Sequence, residues 1–163
     1  MDKSDRTGLF DLTGSRVLIT GSSRGIGFAL AKGLAEAGAA IVLNGRDGGK
    51  LERAAGELRK ERFTVATAVF DVTERDAVES SIGKIESEIG FIDILVNNAG
   101  IQHRAPLEDF PADAWERLIN VNLSSVFHVS QAVAKYMIPR TKGKIINICS
   151  VLSQLGRPTV APY

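Results

Sequence analysis

Arg16-Val17-Leu18-Ile19-Thr20-Gly21-Ser22-Ser23-Arg24-Gly25-Ile26-Gly27 is the stretch on which the fold depends. Its first five residues hold a short apolar core, Val17-Leu18-Ile19, rich in β-branched side chains, the pattern of a buried strand. Three glycines follow in a G-x-x-x-G-x-G spacing, and a helical pattern then runs from about Gly25 to Ala37. The apolar face of that helix is expected at Ile26, Ala29, Leu30, Gly33, Leu34 and Ala37, with Gly38 as its stop. A strand bending tightly into a helix N-terminus presents unpaired N–H groups and partial positive charge, which suit a diphosphate. Glycines let the backbone approach such a ligand with no Cβ in the way. A turn of this kind can also serve the fold alone; the strand before it and the helix after it favour the phosphate site. A P-loop would need Gly-Lys-Ser/Thr, and the G-x-G-x-x-G spacing of many other dinucleotide folds is not the one present.

Downstream, the same alternation repeats. Ala40–Asn44 reads as a second strand, followed by a helix capped by Asp47 with Leu51, Ala54, Ala55 and Leu58 on its apolar face. Thr64–Phe70 is a third strand. Thr73 with Asp76 resembles a capping box opening a helix through Val78, Ile82, Ile85 and Ile89, closed by Gly90. Ile92–Val96 is a fourth strand. A long helix from about Asp113 to Met137 follows, with Trp115, Leu118, Ile119, Asn122, Val126, Val129 and Val133 in one stripe, and Lys144–Cys149 is a fifth strand. Phe70 and Trp115 are expected in the core. Repeated βα units imply an α/β fold with a parallel sheet and helices on both faces.

At 163 residues, 44% of them hydrophobic, the chain is expected to be a single domain over 1–163. Lys and Arg number 20 against 19 Asp and Glu, a balance that argues against a nucleic-acid partner. No apolar run approaches the ~20 residues of a membrane helix. The opening MDKSDRTGLFDLTG lacks the apolar core of a secretory signal, and one cysteine, Cys149, fits a reducing compartment. No His/Cys/Asp cluster suggests a metal.

The end of the second strand selects the dinucleotide. An acidic side chain there binds a ribose 2′-hydroxyl, whereas arginine accommodates a 2′-phosphate. Here Asn44-Gly45-Arg46 stands at that place and Arg24 lies inside the glycine turn, so NADP is expected over NAD. Two solvated surface arginines are the competing reading. His103 and Arg104 can bind a carboxylate or belong to a solvated loop.

The fourth strand ends in Asn97-Asn98-Ala99-Gly100. Together with TGSSRGIG before it and Ser150…Tyr163 after it, this resembles the short-chain dehydrogenase/reductase family from about Leu12 to Tyr163. The resemblance implies a Rossmann-type doubly wound parallel sheet with strand order 3-2-1-4-5 in the part present. It implies a nicotinamide cofactor held by Gly21, Ser23, Arg24, Gly25, Ile26, Gly27 and Arg46, with Asp71 and Val72 at the adenine. It places Asn98, Ala99 and Gly100 along the cofactor, and a homotetramer is common in the family. Asn122, Ser150 and Tyr163 match the family's catalytic positions. Without that match, Asn122 would be read as satisfying a neighbouring backbone group.

A narrower likeness lies in VLNGRD, VFDVT, NNAGIQHRAPLEDF, MIPR and INICSVLSQLGRPTVAPY, and points to the gluconate-oxidising branch of the family. It implies a polyol/keto-acid substrate, NADP-linked interconversion of 5-keto-gluconate and gluconate, and a cytoplasmic location. The 3-oxoacyl-carrier-protein reductases share the general motifs and are the other branch considered; a non-catalytic dinucleotide-binding fragment is a third reading. Within that mechanism Ser150 orients the substrate carbonyl, Tyr163 is general acid in reduction and general base in oxidation, and Asn122 holds a relaying water. The family lysine falls four residues beyond Tyr163, so the sequence is expected to be the N-terminal portion of the family's domain. The fifth strand is then expected as an open sheet edge with uncovered apolar side chains.

Overall fold

The computed structural model describes residue 8 and residues 10–163. Arg16–Ile19 (β1) leads into Gly25–Glu36 (α1), then Ala40–Gly45 (β2), Gly48–Lys60 (α2), Val65–Val69 (β3) and Arg75–Lys84 (α3). After a wide π turn over Ile85–Ile89 come Ile94–Asn97 (β4), Ala112–Ile119 (α4), a second π turn over Asn120–Ser124, Ser125–Met137 (α5) and Lys144–Asn147 (β5). The five strands form one sheet in the order β3-β2-β1-β4-β5, and every neighbouring pair is parallel. This is the expected doubly wound sheet.

Strand periodicity explains the continuous apolar runs. Val17 and Ile19 point to one face, where Ala31 and Ala35 of α1 and Leu51 and Leu58 of α2 cover them. Leu18 points to the other, under Val78 and Ile82 of α3 and Val129 and Val133 of α5. Strand β1 is therefore dry on both sides, and its carboxyl end, where the glycine turn begins, is held from both faces. Burial fades at β5: Ile145 and Ile146 are 40% and 45% exposed on the sheet edge, as expected of that strand.

Three expectations are corrected. The buried residues of α1 are Gly27, Ala31 and Ala35, while Ile26, Ala29 and Gly33 are exposed; Leu30 and Leu34 are only partly buried. A close helix–sheet approach selects the smallest side chains for the contact, and a stripe of Gly and Ala is weak in apolar periodicity. Thr73 does not cap α3. Glu74 occupies the cap position without a side-chain bond, and the Thr73 hydroxyl instead donates to Asp71 Oδ1 at 2.7 Å. Trp115 is 48% exposed rather than core, although Phe70 is buried. The π turn at Asn120–Ser124 widens the helix locally, so the stripe buried in α5 is rotated relative to α4. The caps at Asp47, whose Oδ1 accepts from the Lys50 N–H at 3.0 Å, and the buried face of α2 are as expected.

Candidate functional site

At the carboxyl edge of the sheet lies a cavity of about 400 Å³. The glycine turn forms one part of it. Gly21 has φ +62, and a Cβ there would stand 2.9 Å from the Ala99 Cα. Gly27 sits where a Cβ would fall 2.5 Å from Asn98 Nδ2 and 2.7 Å from the Gly21 carbonyl oxygen. The turn thus has space for backbone only. Helix α1 opens on Arg24 with no side-chain cap and no acidic residue in its first turn. Its leading N–H groups face the cavity without an internal anion, which is the electrostatic arrangement a diphosphate fits.

Buried polar side chains hold this turn against its neighbours. Thr20 Oγ1 accepts from the backbone N–H groups of Asn98 and Ala99 at 2.9 and 3.0 Å, and Asn98 Nδ2 returns bonds to the carbonyls of Thr20 and Gly21 at 2.9 and 3.1 Å. Asn44 Oδ1 accepts from the Gly21 N–H at 3.3 Å, while its Nδ2 donates to the Ala68 and Phe70 carbonyls, both at 3.1 Å. The Ser22 hydroxyl donates to the Ile19 carbonyl at 2.7 Å and accepts from the Asn44 N–H at 3.0 Å. Thr20, Ser22 and Asn44 are each at most 2% exposed. Sequence reasoning gave none of the three a role, although a polar residue ending an apolar strand calls for a buried partner.

Of the expected cofactor residues, Gly21, Ser23, Arg24, Gly25, Ile26, Gly27, Arg46, Val72, Asn98, Ala99 and Gly100 all line the cavity. Asp71 is not among the lining residues; its carboxylate accepts from the Thr73 N–H and hydroxyl and lies 3.4 Å from Arg46 Nη1. Asn122 is drawn onto the loop after β4: its Oδ1 accepts from the Ile101 N–H at 2.8 Å and its Nδ2 donates to the Ile101 carbonyl at 2.9 Å. Ser150 Oγ accepts from the Leu152 N–H at 3.2 Å, at the start of a short 3-10 turn over Val151–Ser153. Tyr163 is 45% exposed. Among the described residues no hydrogen bond joins Asn122, Ser150 and Tyr163, and none of the three lines the cavity. His103 packs edge-on against Phe110 at 5.3 Å, and neither it nor Arg104 lines the cavity. Sequence reasoning also missed a connection beside β5: Asn97 Nδ2 donates to both Ser130 Oγ and Asn147 Oδ1 at 2.9 Å, tying β4 to α5 and β5.

Residues 15–163 match the short chain dehydrogenase family. This chain belongs to that family. It is 56% identical to gluconate 5-dehydrogenase of Gluconobacter oxydans over 95% of its length, and 48% identical to 5-keto-D-gluconate 5-reductase of Escherichia coli K12 over 95%. A solved gluconate 5-dehydrogenase from Burkholderia cenocepacia, in complex with NADP and tartrate, superposes with a TM-score of 0.92 at 59% identity over 94% of the chain. The chain spans 60%, 61% and 60% of the length of these three proteins.

In this member of the short chain dehydrogenase family, the Asp71 carboxyl ties stability to pH. Burial pushes its carboxyl up, but the Thr73 N–H and hydroxyl and the Arg46 guanidinium outweigh burial and hold it below the ordinary carboxylate value. A lowered folded pKa gives stability that is complete above the unfolded value of ~3.9 and is lost as pH falls through the folded one. Asp71→Asn is expected to flatten part of the loss of unfolding free energy below pH ~4. Urea titrations across that range check this; a variant curve parallel to the parent's would refute it.

Proposed function

We propose that the protein is an NADP-dependent oxidoreductase that interconverts 5-keto-gluconate and gluconate by hydride transfer. The observation that carries the cofactor half is the uncapped α1 N-terminus beside a backbone-only turn, with Arg24 and Arg46 lining the same cavity and no carboxylate lining it from the end of β2. A dinucleotide carrying a 2′-phosphate fits that donor set. The substrate half is supported by relatives named for gluconate and 5-keto-gluconate, one of them solved with NADP. When bound, the nicotinamide supplies or accepts the hydride.

The chain's own residues do the rest in this reading. Amides of the glycine turn take the diphosphate, and the two guanidiniums take the 2′-phosphate. Ser150 Oγ donates to the substrate oxygen and fixes its orientation. The Tyr163 hydroxyl gives a proton to that oxygen in reduction and takes it back in oxidation. Asn122, through the backbone it clamps at Ile101, sets the wall of the site and positions a proton-relaying water. A single NADP-binding Rossmann domain over 1–163, a cytoplasmic location and a homotetramer belong to the same proposal for the whole protein. Among the described residues no helix is long and apolar enough to cross a membrane.

The test is NADPH formation by the full chain with gluconate. Turnover of acetoacetyl thioesters without any gluconate signal would move the protein to the acyl-carrier-protein reductases, and cofactor binding without turnover of either would leave a dinucleotide-binding module. Arg46→Ala is expected to weaken NADP about tenfold or more, the loss of a charge-assisted contact, while NAD changes little. Calorimetry with both cofactors checks it, and an equal loss for each would remove Arg46 from the 2′-phosphate.

A further inference from the structure

The cavity has a wall that the glycine turn does not explain. Helix α4 and the π turn after it contribute Arg117 and Val121, four residues apart on one helical face. The next residue, Asn122, bonds both backbone groups of Ile101, so this wall is fastened to the end of β4 rather than free to swing. Arg117 is exposed, and among the described residues it forms no ion pair, although Asp113 lies four residues before it. Arg46, by contrast, leans on Asp71.

A dinucleotide presents two kinds of surface. Its phosphates already have the turn amides with Arg24 and Arg46. Its adenine is flat and apolar, and needs apolar or planar partners on its faces. Phe70 and Val72 from the end of β3 and Val121 from the α4 side supply apolar lining to the same cavity. A guanidinium lining the same cavity is planar, weakly hydrated and able to stack on an aromatic face. We propose that Arg117 is a cofactor-binding residue whose guanidinium packs on the adenine of the bound dinucleotide. This rests on the dinucleotide reading above.

Calorimetry on the full chain with NADP, NAD and ADP tests it, using Arg117→Leu and Arg117→Lys. Arg117→Leu weakens all three ligands by about five- to tenfold, because each carries adenine. Arg117→Lys keeps the charge but loses the plane, and stays within about twofold of the leucine variant. The melting temperature of both ligand-free variants stays at the parent value, since the side chain is exposed. Unchanged binding by Arg117→Leu would overturn the assignment, and so would full recovery by Arg117→Lys, which would leave only a long-range charge. A loss confined to NADP would move Arg117 to the 2′-phosphate. An unaltered protein that binds none of the three ligands would sink the dinucleotide reading itself, whereas parent binding with a silent Arg117→Leu sinks this inference alone.

Discussion

Gly27→Ala is expected to cost about 2 kcal/mol of stability, lower the melting temperature by about 4–8 °C and remove dinucleotide binding. Alanine is the better helix former by up to ~1 kcal/mol, so propensity alone predicts the opposite sign. Packing wins because the new Cβ has nowhere to go. It would meet Asn98 Nδ2 at 2.5 Å, the Gly21 carbonyl oxygen at 2.7 Å and the Ser22 Cα at 2.9 Å, and the latter two are backbone. Displacing Asn98 also breaks its bonds to the Thr20 and Gly21 carbonyls, each worth about 1 kcal/mol. Overpacking adds roughly 1–3 kcal/mol, and the sum exceeds the helical gain. The helix N-terminus must then retreat from the turn, which misplaces the amides proposed to take the diphosphate. Gly33→Ala in the same helix is the control. A Cβ there meets nothing within 4 Å, so it should raise stability by about 0.4–1 kcal/mol. Thermal melts and calorimetry of the two variants decide the matter; a Gly27→Ala protein with the parent's melting temperature would show that α1 slides freely on the sheet.

Arg140→Ala should be at least as damaging, at about 3 kcal/mol. The Glu86 side chain is 4% exposed and sits in the π turn after α3. Its carboxylate accepts from Arg140 Nη1 at 2.6 Å, Arg140 Nη2 at 3.2 Å and the Ile92 N–H at 3.0 Å. Arg140 also donates to the Ile92 carbonyl at 3.1 Å and lies 4.7 Å from the centre of the Phe91 ring. One guanidinium therefore joins the end of α5 to the tail of α3 and to the approach to β4. Removing it leaves a buried carboxylate with a single backbone donor, and the penalty is that uncompensated charge rather than the lost contact. The double variant Glu86→Gln/Arg140→Met removes the charge and should recover at least half of the loss. Urea unfolding of the three proteins measures this. A cost below about 1 kcal/mol for Arg140→Ala would mean that water reaches Glu86.

The elements that were legible in the sequence share one property: their cause is local or strictly periodic. Strand β1, the glycine turn and the start of α1 follow from a β-branched run meeting Gly21, Gly25 and Gly27. The Asp47 cap and the Leu51, Ala54, Ala55 and Leu58 face of α2 follow from helical spacing. The residues that went unread depend on contacts between distant segments. Asn44 bridges the glycine turn and the end of β3, and only parallel pairing of β1, β2 and β3 brings those carbonyls to it. Trp115 carries an apolar side chain that periodicity assigns to the core, yet a π turn lies between it and the buried stripe of α5.

By itself, then, the order of residues settled a doubly wound sheet and a tight glycine turn at the tip of its first strand, because backbone freedom and apolar period are written into neighbouring positions. Tertiary structure alone decided which face of α1 is dry, where Asp71 directs its carboxylate, and that Arg117 shares a cavity with Arg24 and Arg46. The physical reason is convergence. A parallel sheet gathers the carboxyl ends of strands tens of residues apart along one edge, and the chemistry of that edge belongs to the assembled loops rather than to any one of them.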